Sequence, residues 1–201
     1  MTKSVQIETG IADVAYLKTN RYRLCLAKKV NGIYNVVWQS HGDFVAINSF
    51  SWMTPVYQVF GSTHFQTSAR VVVDTNLVAA SLGERVIMDQ AGHIGPAEPG
   101  ADSHSITFVN QDGPIHPGLQ SGSIGPGGNQ VITPIYLYPQ SVPVGTVMFA
   151  PIEKVQVWFA QNLATGTIID DHVLNAVEID LTTVNSAARR YPVSYTHLRA
   201  H

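Results

Sequence analysis

A predicted β-hairpin constrains the fold of this chain more than any other stretch. Two β-prone runs, residues 22–30 and 33–39, are joined by the dipeptide Asn31-Gly32. Both turn residues tolerate positive φ, so the dipeptide favours a two-residue type I′ turn that fixes the strand register. The predicted opposing pairs are Val30 with Ile33, Leu26 with Val37, Cys25 with Trp38, and Lys29 with Tyr34.

This hairpin carries apolar residues on both faces, which is typical of an interior pair of strands. We expect the rest of the chain to supply sheets that cover it. Further alternating runs predict strands at residues 4–8 (an edge strand), 44–50, 51–60 (an edge strand or one that starts at Val56), 69–75, 84–89, 103–110, 131–138, 145–149, 154–160, 166–169 and 173–181. Around ten short strands without a convincing helix predict an all-β fold, an antiparallel β-sandwich or flattened barrel.

Length and composition favour one soluble β domain, residues 1–192. Charged residues make up only 13% of the chain and the formal net charge is −2, so nothing indicates a nucleic-acid partner. The chain shows neither a secretory leader nor an apolar run of transmembrane length. We therefore expect a soluble protein, cytoplasmic or released without a classical signal peptide. Cys25 is the single cysteine and reads as a small buried hydrophobe.

Residues 90–130 differ from the rest because glycine and proline are dense there, interrupted by one predicted strand. The pattern Gln-x-Gly-x-Ile-Gly-Pro occurs twice, beginning at Gln90 and at Gln120. Two copies are too few for a solenoid, so we interpret them as two loops of similar shape. Long loops in a compact domain are commonly used for binding, so residues 90–102 and 111–130 are candidate ligand loops.

The carboxy-terminal residues 193–201 look like the translation of a sequencing-library adapter. We expect them to lie outside the fold. Such a tail is typical of a chain obtained by environmental sequencing, and the natural carboxy terminus is then missing.

Neither a metal site nor a catalytic set stands out in the sequence. Six histidines precede the tail, and none forms the close pairs with which most zinc sites begin. Asp102, His104 and His116 are the best candidates for a metal site assembled from separate loops. No nucleophile elbow and no phosphate-binding loop occurs, so we expect a non-catalytic protein that needs no cofactor.

Aromatic residues give the strongest indication of function. Trp38 and Trp158 are expected to fill the core, whereas Tyr136 and Tyr138 share one strand face beside two prolines. Rings with amide neighbours are how sandwich proteins stack sugars or bury partner surfaces. The predicted ligand-binding residues are Tyr136, Tyr138, Trp52, Tyr57, His104 and His116.

Three functional hypotheses remain open. The first is a non-catalytic binding protein of lectin-like or defence type that recognises a glycan or cell-surface ligand through the 90–130 loops and the tyrosine pair. The second is a self-assembling subunit of a capsid or filament, and hence a homo-oligomer. The third is a small β-barrel enzyme or carrier with a cavity for an apolar ligand. In its low charge and many amides the chain is similar to β-sandwich lectins without signal peptides, a resemblance of type that assigns no residue.

Replacing Gly32 by Val tests the predicted turn. A β-branched residue resists positive φ, so we expect the free energy of unfolding to fall by about 1–3 kcal/mol. Urea denaturation measures this change, and an unchanged midpoint would contradict the turn.

Overall fold

A computed structural model describes residues 1–100 and 102–193 of the chain. Within these ranges the chain forms fifteen β-strands and one α-helix, α1, at Ile11–Thr19. The strands are β1 (Thr2–Glu8), β2 (Tyr22–Val30), β3 (Gln39–His41), β4 (Ile47–Met53), β5 (Val56–Ser62), β6 (Val78–Ser81), β7 (Glu84–Met88), β8 (Glu98–Pro99), β9 (Ile106–Asn110), β10 (His116–Ile124), β11 (Gln130–Leu137), β12 (Gly145–Phe149), β13 (Pro151–Gln161), β14 (Val177–Asp180) and β15 (Ser186–Arg190).

The strands form three sheets. The first has the order β15-β1-β4-β10-β5-β6, with β11 also paired to β10; the second is β12-β9-β7-β8 and the third is β14-β13-β2-β3. The β1–β15 and β7–β9 pairings are parallel, and the other strand pairings are antiparallel. The predicted all-β fold of antiparallel sandwich type is confirmed, and the described strands do not close into a barrel.

Side chains from all three sheets meet in one apolar core. Aromatic rings make several of the contacts between sheets. Trp38 packs edge-on against Trp52 of the first sheet at a centroid distance of 5.3 Å, and Tyr136 packs against Phe149 of the second sheet at 6.1 Å. Trp38 and Trp158 are both buried, as expected for core residues.

The hairpin turn forms where it was predicted. Asn31 and Gly32 have φ of 51° and 80°, and Val30 bridges to Ile33. The register further along was wrong by two residues, because Cys25 lies opposite Ser40 and Leu26 opposite Gln39, rather than opposite Trp38 and Val37.

The cause of this shift lies in residues 34–37, which leave the ladder; residues 35–37 contact residues 166–169. Val36 bridges to Ile168, and the Val37 amide donates to the Thr167 carbonyl. Lys29 and Tyr34 consequently do not form a strand pair, although Lys29 Nζ lies 5.3 Å from the centre of the Tyr34 ring.

The prediction of a long loop at 111–130 was wrong, because residues 116–124 form the nine-residue strand β10 inside the largest sheet. This strand pairs with β11 along one edge and with β5 and β4 along the other. The repeated Gln-x-Gly-x-Ile-Gly-Pro pattern therefore has two structures: Ile94 is buried in a loop, whereas Ile124 ends a strand and is partly exposed. Composition alone misled the prediction, since small residues also suit a strand that is crowded on both sides.

Other local predictions differ from the structure. Strand β1 is an interior strand with β4 and β15 on its two sides, and the sequence analysis missed helix α1, in which Leu17 alone is fully buried. Residues 69–75 and 166–169 make isolated bridges instead of strands. Around ten strands were expected; the short strands β6 and β8 give no alternating pattern to recognise, and β15 was also missed.

The predicted tail lies almost entirely outside the described residues, since residues 194–201 are not among them. Val193, which the prediction assigned to the tail, is half-buried against the core. In the described part of the chain, no helix is long and apolar enough to cross a membrane.

Substitution of Gly118 tests the tight packing of β10. A Cβ there would overlap the Phe60 ring and lie 2.9 Å from the Tyr136 carbonyl oxygen. We expect Gly118→Ala to lower the free energy of unfolding by about 1–3 kcal/mol. Gly122→Ala is the matched control on the same strand, because its Cβ would meet nothing closer than 3.4 Å. Equal denaturation midpoints for the two variants would contradict this packing.

Candidate functional site

An open cavity lies in the first sheet where β4 and β5 diverge. These consecutive strands are linked only by Thr54 and Pro55, yet they do not pair, because β10 lies between them. Strand β10 pairs with β5 as far as Gln120 and with β4 only at Ile124. The register therefore gives residues 121–123 no strand partner on this side, and the gap is a cavity of about 460 Å³.

The lining of this first cavity is mainly apolar, with hydroxyl and amide groups from β10 and its neighbours. It carries no lysine, arginine, histidine, aspartate or glutamate side chain. The lining residues are Thr2, Ser51, Trp52, Met53, Val56, Tyr57, Gln58, Gln120, Ser121, Gly122, Ser123, Ile124, Gln130 and Ile132. This composition suits an uncharged ligand with a large apolar part.

Two predicted binding residues, Trp52 and Tyr57, both border the first cavity. Each is only 2% exposed, so the two rings form its inner wall. Behind this wall lies Lys28, whose Nζ is 5.3 Å from the Trp52 ring centre and 5.8 Å from the Tyr57 ring centre. The same Nζ is 5.6 Å from the centre of the Trp38 ring. Cation–π attraction to these rings helps to hold the wall in place.

The charge of Lys28 is balanced by Glu153. Lys28 Nζ lies 3.0 Å from both carboxylate oxygens, and the Trp52 indole donates to Glu153 Oε2 at 2.9 Å. Strand β13 carries extra residues opposite β2 between Pro151 and Val155, and this bulge contains Glu153. Burial lowers the pKa of Lys28, and the nearby carboxylate partly opposes that shift.

Ser121 lines the first cavity with a side chain whose hydroxyl is covered. Its Oγ is buried and has no hydrogen-bond partner among the described residues. The backbone of Ser121 is fixed, because its carbonyl accepts the Trp38 indole N–H at 3.1 Å. A buried hydroxyl without a partner is unfavourable by about 1–3 kcal/mol.

The predicted tyrosine pair has a different environment. Tyr136 is 2% exposed, with its ring against Tyr138 and Phe149, and Asn31 Nδ2 lies 3.4 Å from its hydroxyl. Burial raises the pKa of Tyr136 to about 12. Tyr138 is half-buried, and its hydroxyl donates to the Met148 carbonyl. A flat aromatic surface built from both rings is therefore not present.

The remaining candidates do not converge on a site. His104 is 92% exposed at its side chain and contacts Asp102, whereas His116 bonds to the Tyr138 carbonyl and packs near Phe65. Nowhere in residues 1–100 and 102–193 do three His, Cys, Asp or Glu side chains gather in a way that could hold a metal, so Asp102, His104 and His116 do not form the suggested site.

Sequence reasoning missed two residues of this region, Lys28 and Ser121. Lys28 occupies an inward position in a strand that is apolar on both faces, and this placement could have indicated a buried charge. Ser121 lies in a stretch rich in glycine, serine and proline that resembled a loop, so nothing in the sequence distinguished it.

Comparison with known proteins adds no assignment: no family model, no curated protein and no solved structure matches this chain.

Removal of the Glu153 charge tests the buried ion pair. In Glu153→Gln the buried Lys28 ammonium loses its counter-charge, so we expect the free energy of unfolding to fall by about 3 kcal/mol at neutral pH. Because the pKa of folded Lys28 lies below its unfolded value, the unfolded chain binds more protons between the two values, and this residue's contribution to stability rises with pH there. The difference in free energy of unfolding between Glu153→Gln and the original protein should therefore become smaller as pH approaches the usual pKa of lysine.

Glu98→Gln is the matched control for this measurement. Glu98 pairs with Arg85 at 2.7 Å, but both side chains are about half exposed, so the change should be below about 1 kcal/mol. The free energy of unfolding is measured by chemical denaturation across pH. An equal decrease in the two variants would contradict a larger contribution of the buried pair to stability.

Proposed function

We propose that this protein is a non-catalytic binding protein whose first cavity holds a neutral, mainly apolar small molecule with one hydrogen-bonding group. The observation that carries the proposal is the open cavity between β4 and β5, whose lining is mainly apolar with hydroxyl and amide groups and carries no charged side chain. A fatty alcohol or a similar neutral lipid has this chemistry.

The charge of the lining supports a neutral ligand. A carboxylate or an amine in the first cavity would leave water without meeting an opposite charge, which is strongly unfavourable. The same lining offers no carboxylate or imidazole for acid–base chemistry, and burial raises the pKa of Tyr57. Binding without catalysis is the function that these groups support best.

The mouth of the first cavity supports an apolar ligand. Met53, Val56 and Ile132 are 68%, 57% and 52% exposed, and all three border the opening. Exposed apolar side chains that cluster around a cavity indicate a binding surface. A second copy of this chain could also cover such a mouth, so the assembly hypothesis is examined by the same experiment.

We expect Ile132→Lys to weaken binding of dodecanol by about tenfold or more, because it replaces apolar contact at the mouth by a charge. Titration of 15N-labelled protein with dodecanol measures this, read from the indole N–H signal of Trp52 in the cavity wall. Val72→Lys is the matched control, since Val72 is 51% exposed and does not border the cavity.

A dodecanol affinity equally reduced in both variants, or no response of the Trp52 signal in the original protein, would contradict the proposal. Gel filtration of the same samples distinguishes the assembly hypothesis. An oligomer that dissociates in Ile132→Lys while dodecanol fails to bind would assign this mouth to self-association instead.

A further inference from the structure

Gly122 lines the first cavity, and its backbone polar groups point away from β11. In an antiparallel ladder the N–H and C=O of one residue face the same neighbouring strand, and successive residues alternate between the two neighbours. Pro117 faces the β11 side, because its carbonyl accepts the Tyr138 N–H. Gly118 and Gln120 therefore face β5. The extra residue in the β10–β11 pairing belongs to β11, so the alternation along β10 is unbroken and Gly122 faces the same side as Gln120.

The pairing on that side stops before Gly122 from both directions. Continued by two residues, the β5 register would place Val56 opposite Gly122. Continued from Ile124, the β4 register would place Met53 at the same position. Neither pair forms, so the N–H and C=O of Gly122 face the cavity without a partner strand.

These backbone groups are within reach of a ligand. Gly122 is partly exposed, whereas Ser121 and Ser123 on its two sides are buried. A Cβ at residue 122 would lie 3.4 Å from Gln130 Nε2 and 3.7 Å from Ile132 Cγ1, and both of these residues belong to the lining. A side chain at this position would therefore project into the cavity, and glycine leaves the backbone uncovered.

We propose that the backbone N–H and C=O of Gly122 anchor the ligand of the first cavity, and that the ligand is a fatty acid amide. An amide carries its acceptor and its donor on separate atoms, so it can pair with both groups of Gly122, as a strand residue would. A hydroxyl carries both on a single oxygen. An amide is also neutral, as the uncharged lining requires, and its alkyl chain contacts the exposed apolar side chains at the mouth. This inference rests on the proposed function and narrows its class of ligand.

Three ligands of equal chain length test the anchor: decanamide, N,N-dimethyldecanamide and decanol. Each is titrated into 15N-labelled protein, and the backbone N–H signal of Gly122 is followed together with the indole signal of Trp52. We expect decanamide to shift the Gly122 signal and to bind about tenfold more tightly than N,N-dimethyldecanamide. The dimethyl compound accepts a hydrogen bond but cannot donate one, so it leaves the Gly122 carbonyl without a partner.

Gly122→Ala tests the same anchor from the side of the protein. We expect about tenfold weaker binding of decanamide, because the added methyl group occupies the cavity beside the backbone groups. The urea midpoint should stay close to that of the original protein, since the Cβ meets nothing closer than 3.4 Å. Gly113→Ala is the matched control and should keep full affinity, because its Cβ meets no atom within 4 Å and the residue does not line the cavity.

Equal affinities for decanamide and its dimethyl derivative, an unchanged Gly122 signal, or full decanamide affinity in Gly122→Ala would overturn the anchor. If decanol shifts the Trp52 signal while one of these results is obtained, the proposed function stands and only the anchor is wrong. If no ligand shifts either signal, the proposed function is contradicted together with the anchor.

Discussion

The ion pair between Lys28 and Glu153 lies where the first and third sheets meet and constrains how they pack. Both residues belong to the third sheet, and the rings around the lysine come mainly from β4 and β5 of the first. Lys28 is 1% exposed, so the transfer of its charge from water is strongly unfavourable. The paired carboxylate, the Trp52 indole bonded to that carboxylate and three aromatic rings together offset this cost. Another arrangement of the two sheets would take the Trp52 indole and the rings of Trp52 and Tyr57 away from the buried pair, so the pair favours one packing from those that an apolar interface would permit.

This constraint extends from the core to the first cavity. Trp52 and Tyr57 contact Lys28 on one side and border the cavity on the other, so the rings cannot collapse into the gap between β4 and β5 without leaving the charge. On the opposite side, β10 is held by its pairing with β11 and by the bond from Trp38 to the Ser121 carbonyl. Both walls of the cavity are therefore fixed by contacts that lie outside it.

Local chemistry made part of this structure predictable. The Asn31-Gly32 turn depends only on residue types that tolerate positive φ, and these types can be read from the sequence. The register beyond the turn depends on Val36 and Val37 finding partners near residue 168, a contact between distant parts of the chain that alternation cannot reveal. Strand β10 was missed for a related reason, because Gly118 is needed for close approach of Phe60 and Tyr136, which only the assembled sheet shows. Trp52 and Tyr57 were recognised as candidate binding residues by their type, whereas their shared position depends on β10 entering between two consecutive strands.

Four buried side-chain polar atoms in the described part of the chain have no hydrogen-bond partner, and they belong to Thr9, Ser121, Gln156 and Trp158. Ser121 borders the first cavity, and Trp158 borders another cavity beside the end of β13; neither cavity has a carboxylate, lysine or arginine in its lining. Each unpaired atom makes the free protein less stable by about 1–3 kcal/mol than a chain with an apolar group in its place. Thr9 and Gln156 line neither of these cavities, so unpaired polar atoms occur both beside the cavities and away from them.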